Sequence, residues 1–328
     1  MKPNEVSSAC IGACEVAADA CSGCGRQLDD IAAWPAADDG QRLGILLQAA
    51  RRLAEQAPRP WPRRVRDALG NALLLDAPPQ RIVSLVPSQT ELLFDLGVGE
   101  RLVGVTKFCV HPKDARRGRH RVGGTKTPDL ARIRALEPDF VLANREENRA
   151  EDIAAIGAFA PVYVTDVNSL PQALAMTRAV GFALGVEARA ARIAADIESA
   201  FAGLPRAPGR RCAYLVWREP WMAAGGGTFI DDLLQRLGLV NVFGDRPRYP
   251  ELTAADLAAA APDLILLPSE PYPFKPAHGA ELLAALPQAR IVPVDGEMFC
   301  WPGSRLLAAA GYFRDLLPKL GGAPGVVW

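Results

Sequence analysis

The sequence predicts an α/β protein of two Rossmann-like lobes joined by a long backbone helix and preceded by a small cysteine-rich helical domain. Three observations predict it. Four of the seven cysteines, Cys10, Cys14, Cys21 and Cys24, fall within fifteen residues at the N-terminal end. Beyond them, short β-branched runs alternate with helical patterns, the signature of βαβ units around parallel sheets. Between two such series lies a stretch of about thirty residues after Pro171 with helical periodicity, loosened only by Gly181 and Gly185.

The strands read as RIVSLVP, RLVGVT, DFVLAN and PVYVTD, then RCAYLVW, DLILLPSE and RIVPVD. An internal echo supports two similar lobes: strand, helix, short strand, helix, Pro-Asp and strand occur twice in the same order. The expected division is a four-cysteine metal-binding domain at 1–57, a linker at 58–80, a first lobe at 81–168, a connecting helix at 169–203 and a second lobe at 204–328. The segment PRPWPRRVRDALGNALLLDAPPQ, with prolines at both ends, reads as linker with one short helical stretch.

Composition narrows the function classes. The 328 residues are 49% hydrophobic, ample for real cores, and Lys plus Arg (37) equals Asp plus Glu (37), so no global field recruits nucleic acid. Arg51, Arg52, Arg59, Arg63, Arg64 and Arg66 make the linker locally basic, read as a solvated face. The start MKPNEVSSACIGACEVAADAC lacks an apolar h-region and reads as neither a signal peptide nor a lipoprotein leader. No uninterrupted apolar run reaches the roughly 18 residues of a membrane span, so no direct membrane insertion is expected. The expected compartment is the cytoplasm, where clustered thiols more often hold metal than form disulfides.

Short gaps between Cys10, Cys14, Cys21 and Cys24 let adjacent thiolates converge on one ion, and four thiolates suit zinc or an iron-sulfur cluster. Disulfides or unrelated thiols are the alternatives. The stretch CIGACEVAADACSGCGRQLDDIAAW, with QRLGILLQAARRLAEQ after it, resembles a short family of unknown function predicted to bind an iron-sulfur cluster. That resemblance implies a metal and does not separate zinc from iron.

The motifs RIVSLVPSQTELLFDLG, VGVTKFCVHP, VGGTK, LEPDFVLANREEN, LVWREPWMAAGGGTFIDDLL, RYPEL, LPSEPYPFK and DGEMFCWPGSR occur in order. Through them residues 81–320 resemble the cobalamin-binding branch of the helical-backbone substrate-binding proteins of ABC transporters, a class that also serves haem, ferric siderophores and metal ions. The resemblance implies a two-lobed fold that binds without turnover. Exported members offer a surface glutamate on each lobe to the transporter; here Ala131 and Ala255 stand at those positions, with Asp129 and Asp256 as neighbouring substitutes. Transporter docking is therefore doubtful, and an intracellular corrinoid handler is expected.

Candidate ligand residues sit where strands end, as ligands do in open α/β sheets. Phe108, Trp217, Trp221, Tyr249, Phe299 and Trp301 could wall a flat macrocycle or simply fill a core. His111 could ligate cobalt or iron from one face, or act as a capping group before Pro112; Cys109, two residues earlier, would point the same way if the segment were extended. Glu146 and Glu147 open a predicted helix, where they either complement its dipole or accept hydrogen bonds from corrin amides. Arg145, Arg218 and Arg305 could reach phosphate or propionate groups, and Glu270 and Glu297 could serve as the other glutamates do. Gly225 to Gly227 read as a turn before Thr228 caps a helix. No nucleophile elbow, HExxH or kinase set is present, so catalysis is not expected.

The leading expectation is a small-molecule binder that clasps a cobalamin-like corrinoid between lobes, with zinc or an iron-sulfur cluster at the four cysteines. The alternatives are haem, a ferric siderophore or a metal ion in the same cleft, and an enzyme that remodels a corrinoid using electrons from the cluster.

Overall fold

Continuous apolar runs place the central strands. Phe140–Asn144 and Leu264–Pro268 are buried at every position, the pattern of parallel strands covered on both faces by helices. The structure, a computed structural model, describes residues 6, 8–12, 16, 17, 19–56, 59–207 and 209–327.

In the first lobe β5 (Ile82–Ser84), α3 (Pro87–Asp95), β6 (Leu102–Val105), β7 (His120–Arg121), α4 (Leu130–Ala135), β8 (Phe140–Asn144), α5 (Ala150–Gly157) and β9 (Val162–Thr165) follow one another. They are preceded by the short hairpin β1 (Val16–Ala17) and β2 (Ala20–Cys21), the helices α1 (Leu28–Ala33) and α2 (Asp39–Glu55), and the hairpin β3 (Arg63–Arg66) and β4 (Ala72–Leu75). The first-lobe sheet runs β7-β6-β5-β8-β9, parallel throughout.

The second lobe comprises β10 (Arg211–Trp217), β11 (Trp221–Ala223), α8 (Phe229–Arg236), β12 (Val240–Asn241), β13 (Glu251–Leu252), α9 (Ala254–Ala260), β14 (Leu264–Pro268), α10 (Pro276–Ala285), β15 (Arg290–Val294), α11 (Gly296–Cys300), α12 (Leu306–Leu316) and β16 (Gly325–Val326). Strands β10, β14, β15 and β16 are parallel neighbours. The chain then departs from the all-parallel expectation, because β11 doubles back antiparallel on β10 and pairs with β13. Thr228 caps α8 as expected, its hydroxyl accepting from Asp231 N at 3.1 Å.

The single connecting helix expected at 169–203 is two helices, α6 (Leu170–Leu184) and α7 (Glu187–Ala202), packed against each other. Gly185 is the cause. It sits at φ 74°, where a side chain is strained, and ends α6 as a left-handed cap so that the chain folds back. Gly181 lets the two helices touch, since a Cβ there would lie 2.1 Å from that of Ala190.

The linker expectation is also corrected. Residues 63–75 form the β3–β4 hairpin rather than a helical stretch, because Asp67 organises a turn, accepting from Leu69 N at 3.0 Å and Asn71 N at 2.8 Å. Nor is its basic character all solvated. Arg63 is 3% exposed, paired with Glu187 at 3.1 Å and donating to the Phe182 carbonyl at 2.6 Å.

The cysteine-rich module rests on α7. Leu46 of α2 shares an apolar cluster with Cys21, Cys24 and Ala195, and Ala50 and Leu53 share another with Ala191. Each buried leucine contributes about 2 kcal/mol.

Candidate functional site

The parallel strands of both lobes end towards a common cleft. After β6, Thr106 and Thr90 clasp Cys109, whose sulfur lies 3.2 and 3.0 Å from their hydroxyls. Cys109 is fully buried, and burial pushes its thiol up. The segment is therefore not extended, and Cys109 serves the core while His111 reaches the cleft. The His111 ring meets Trp301 edge-on at 5.6 Å, and its Nε2 lies 3.1 Å from Glu297.

Those two partners come from the other lobe. Asp295, at the end of β15, caps α11 by accepting from Glu297 N at 3.1 Å, which aims Glu297 into the cleft. Arg305 follows, its guanidinium 4.9 Å from the Trp301 ring centre. It grips Glu91 of α3 through Nη2 at 2.6 Å and Nε at 2.8 Å, and Glu297 through Nη1 at 2.9 Å. Burial raises the Glu91 carboxyl above its ordinary range even with Arg305 beside it. The four residues Glu91, Arg305, Glu297 and His111 form one chain of polar contacts from lobe to lobe.

Beside this chain the Trp301 indole donates to Glu270 at 2.6 Å, and the Cys300 thiol donates to the same oxygen at 3.2 Å. Burial raises Glu270, with the Cys300 and Trp301 hydrogen bonds working against it. His111, Ser269, Glu270, Asp295, Glu297 and Arg305 line a cavity of about 670 Å³.

A second crossing lies nearby. Arg248 forms an ion pair with Glu146 and donates to Asn168 at 2.6 Å. Glu147 is exposed, and desolvation raises its carboxyl, with Lys126 opposing and Glu270 adding to the rise. Tyr249 is pushed up to about 12 by burial, with the Arg248 charge opposing. The cleft thus gathers His111, Glu146, Glu147, Tyr249, Glu270, Glu297 and Arg305 from the sequence-predicted set, with Trp301, only 6% exposed, in contact with His111 and Arg305.

The other candidates make contacts of their own. Phe299 is 0% exposed, packed between Tyr214 at 5.2 Å and Phe313 at 4.8 Å, so it is a core residue and not a wall. Trp217 and Trp221 belong to an aromatic shelf on the second lobe, edge-on to Tyr272 at 5.3 Å and stacked on Phe274 at 6.1 Å respectively. Arg218 lies over Trp221 and pairs with Glu281 at 2.8 Å. Arg145 pairs with Asp166 at 2.9 Å on the surface, and Phe108 is exposed beneath Lys107. Sequence reasoning missed Glu91 and Arg248, which carry no local signal: one reads as the outer face of a helix, the other as a loop charge.

At the cysteine module, the chain turns sharply between Cys21 and Arg26, with Cys21 N donating to the Arg26 carbonyl at 2.7 Å. Gly25 makes the turn possible: it sits at φ 75°, and a Cβ would lie 2.3 Å from the Ala49 carbonyl of α2. Cys21 and Cys24 are consequently buried in one cluster, and Arg26 donates to the Cys24 sulfur at 3.4 Å while lying 5.0 Å from the Trp34 ring centre. Cys10 is exposed beside buried Ala9, which joins the same cluster, and Cys14 lies outside the described residues. Among the described residues no three His, Cys, Asp or Glu side chains converge as a metal-ligand set. Arg178 of α6 has both Nη1 and Nη2 buried without a hydrogen-bond partner. Burial pulls Arg178 down to about 10, with Glu198 and then Cys24 opposing.

Two α/β lobes facing each other across a cleft bridged by ion pairs define a binding protein whose cargo sits between lobes. Residues 82–278 match the profile of the family described as periplasmic binding protein, and the chain belongs to that family. Its members bind substrates rather than turn them over. The N-terminal residues 8–53 match a family described as protein of unknown function (DUF1289). The vitamin B12-binding protein of Pectobacterium carotovorum subsp. carotovorum (strain PC1) is 26% identical over 256 residues, covering 75% of this chain and 91% of the relative. Among solved structures, the apo periplasmic heme-binding protein RhuT from Roseiflexus sp. RS-1 aligns with a TM-score of 0.62 at 26% identity, covering 74% of this chain and 97% of its own. The periplasmic vitamin B12 binding protein BtuF of Vibrio cholerae aligns at 0.61 with 21% identity, covering 74% and 98%, and shows the fold.

Proposed function

We propose that the cleft takes up a cobalamin-like corrinoid and releases it unchanged, and that Cys10, Cys14, Cys21 and Cys24 hold zinc or an iron-sulfur cluster. The observation that carries the cleft reading is His111, which lines the cavity from one lobe and meets Glu297 of the other at 3.1 Å. An imidazole opening onto a cavity suits a metallated macrocycle. The 26% identity to a vitamin B12-binding protein supports the corrinoid. Glu146, Glu147 and Glu270 would accept from corrin amides, and Arg305 and Arg248 would meet its phosphate. A corrinoid with its nucleotide loop exceeds about 670 Å³, so uptake parts the lobes and breaks the Arg305 and His111 bridges.

Haem in the same cleft is the second reading, favoured by the Roseiflexus relative, which is named as heme-binding at 26% identity. Absorbance titration of the full chain with hydroxocobalamin, and in parallel with hemin, separates the two. Saturable binding of hydroxocobalamin is expected, with a spectral shift that His111→Ala abolishes; saturation by hemin alone overturns the corrinoid reading in favour of haem.

A cytoplasmic home completes the proposal. Clustered thiols stay reduced there, and Ala131 and Ala255, both exposed, offer no carboxylate for transporter docking. Their acidic neighbours are occupied locally: Asp129 caps α4, and Asp256 is held by Thr253 and pairs with Arg246 at 2.7 Å. Cell fractionation should find the full chain with cytosolic markers, and recovery in an exported fraction would overturn this placement.

A further inference from the structure

The two arginine bridges across the cleft have the same polarity. Arg305 and Arg248 belong to the second lobe, and their partners Glu91 and Glu146 belong to the first. Arg305 divides its donors between two carboxylates. Its Nη1 meets Glu297 of α11, in its own lobe, at 2.9 Å. Its Nε and Nη2 meet the two oxygens of Glu91 of α3, in the other lobe, at 2.8 and 2.6 Å. Two near-parallel bonds from one edge of a guanidinium are the geometry that recognises a carboxylate or a phosphate.

The two partners of Arg305 fare differently when the lobes part. Glu297 travels with Arg305, whereas Glu91 stays behind on α3. Arg305 lines the cavity of about 670 Å³, so the edge that Glu91 vacates belongs to a residue already facing the space that receives a ligand. Desolvation raises the Glu91 carboxyl even with Arg305 beside it; of the other charges near it, Asp95 one turn further along α3 adds to the rise and His111 opposes it. Release into the opened cleft returns that carboxylate to water. Glu91 is therefore the exchangeable partner.

We infer that Glu91 is a specificity-determining residue of the cleft: its carboxylate occupies the Nε–Nη2 edge of Arg305 in place of an anionic group on the ligand and competes with that group for the edge. The inference rests on the ligand reading proposed above and adds that the ligand's phosphate or carboxylate is admitted against a resident like charge. Once such a group sits on Arg305, Glu91 faces it as an unpaired anion, and like charges brought together weaken binding. A ligand without an anionic group leaves the bridge free to re-form and meets no such penalty.

The test titrates full-chain wild type, Glu91→Gln, Glu91→Asp and Arg305→Met, followed by absorbance, with two pairs of probes. Hydroxocobalamin is paired with cobinamide, the corrinoid that lacks the phosphate-bearing nucleotide loop, and hemin with its dimethyl ester, which lacks free carboxylates. The quantity read is the ratio of affinities within a pair, in which any general loosening of the lobes cancels. Glu91→Gln is expected to raise the preference for the anionic member by about tenfold, with Glu91→Asp in between, and Arg305→Met to lower it below wild type. The pair that shows the shift identifies the anion as phosphate or carboxylate. A merely structural glutamate would move both members of a pair alike. A preference in Glu91→Gln within about twofold of wild type for both pairs overturns the inference while leaving the ligand reading intact. A wild-type chain that binds none of the four probes overturns both.

Discussion

Replacing Arg63 with alanine should lower the stability of the protein by about 3–5 kcal/mol, the cost of breaking a buried ion pair from one side. Arg63 grips Glu187 with both terminal nitrogens at 3.1 Å, and donates to the carbonyls of Phe182 at 2.6 Å and Arg59 at 2.8 Å. Its guanidinium lies 4.4 Å from the Trp61 ring centre and 5.0 Å from that of Phe182. One side chain thus ties the β3–β4 hairpin to the end of α6 and the start of α7. Alanine removes all of this and leaves Glu187, with a side chain only 11% exposed, without its cation. Lysine restores the charge but not the two-pronged geometry or the stacking, so Arg63→Lys should recover less than half of the loss. Urea unfolding followed by circular dichroism measures both variants. A loss below about 1 kcal/mol for the alanine variant would mean that the hairpin is held by its apolar side alone.

The same residue shows where the sequence could be read and where it could not. Strands β8 and β14 were legible because each opens on four consecutive apolar residues preceded by Pro-Asp, a pattern that admits few other structures. The repeat of strand, helix and strand made the two lobes legible as well. Arg63, by contrast, sits in a run of arginines that composition alone assigns to solvent; its burial depends on Glu187, 124 residues away. The break at Gly185 was visible as a glycine, but its left-handed geometry depends on α7 folding back upon α6. In the cleft, aromatic residues were found by their position after strands, and that rule separates neither Trp301, which faces His111, from Phe299, which packs on Tyr214 and Phe313, nor the cleft from the shelf under Trp217. Glu91 was illegible for the reason that makes it informative: its partner Arg305 is 214 residues further on, and only the closed arrangement of lobes brings them together.

That arrangement sets the second large effect. Arg305→Met keeps a long apolar stem over Trp301 and removes only the charge, leaving Glu91 and Glu297 facing each other with no cation between them. Their side chains are 17% and 19% exposed, so water relieves part of the repulsion and the loss should be about 2–3 kcal/mol at pH 7. The pH dependence identifies the cause. Burial already raises the Glu91 carboxyl above its ordinary value of 4.5, and removing Arg305 raises it further. The folded protein then binds more protons than the unfolded chain above about pH 4.5, and stability must fall as pH rises through that window. The deficit of Arg305→Met relative to wild type should therefore be largest at neutral pH and shrink as the pH drops towards 4.5 and Glu91 takes up its proton. Adding Glu91→Gln to Arg305→Met should recover most of the loss at pH 7, since the stranded carboxylate and not the missing contact is the source. Thermal melts across that pH range, with small-angle scattering at pH 7, measure both aspects: the single variant should scatter as a more open molecule because the bridge between lobes has become a repulsion. A deficit that stays constant with pH would place the contribution of Arg305 in its packing on Trp301 instead.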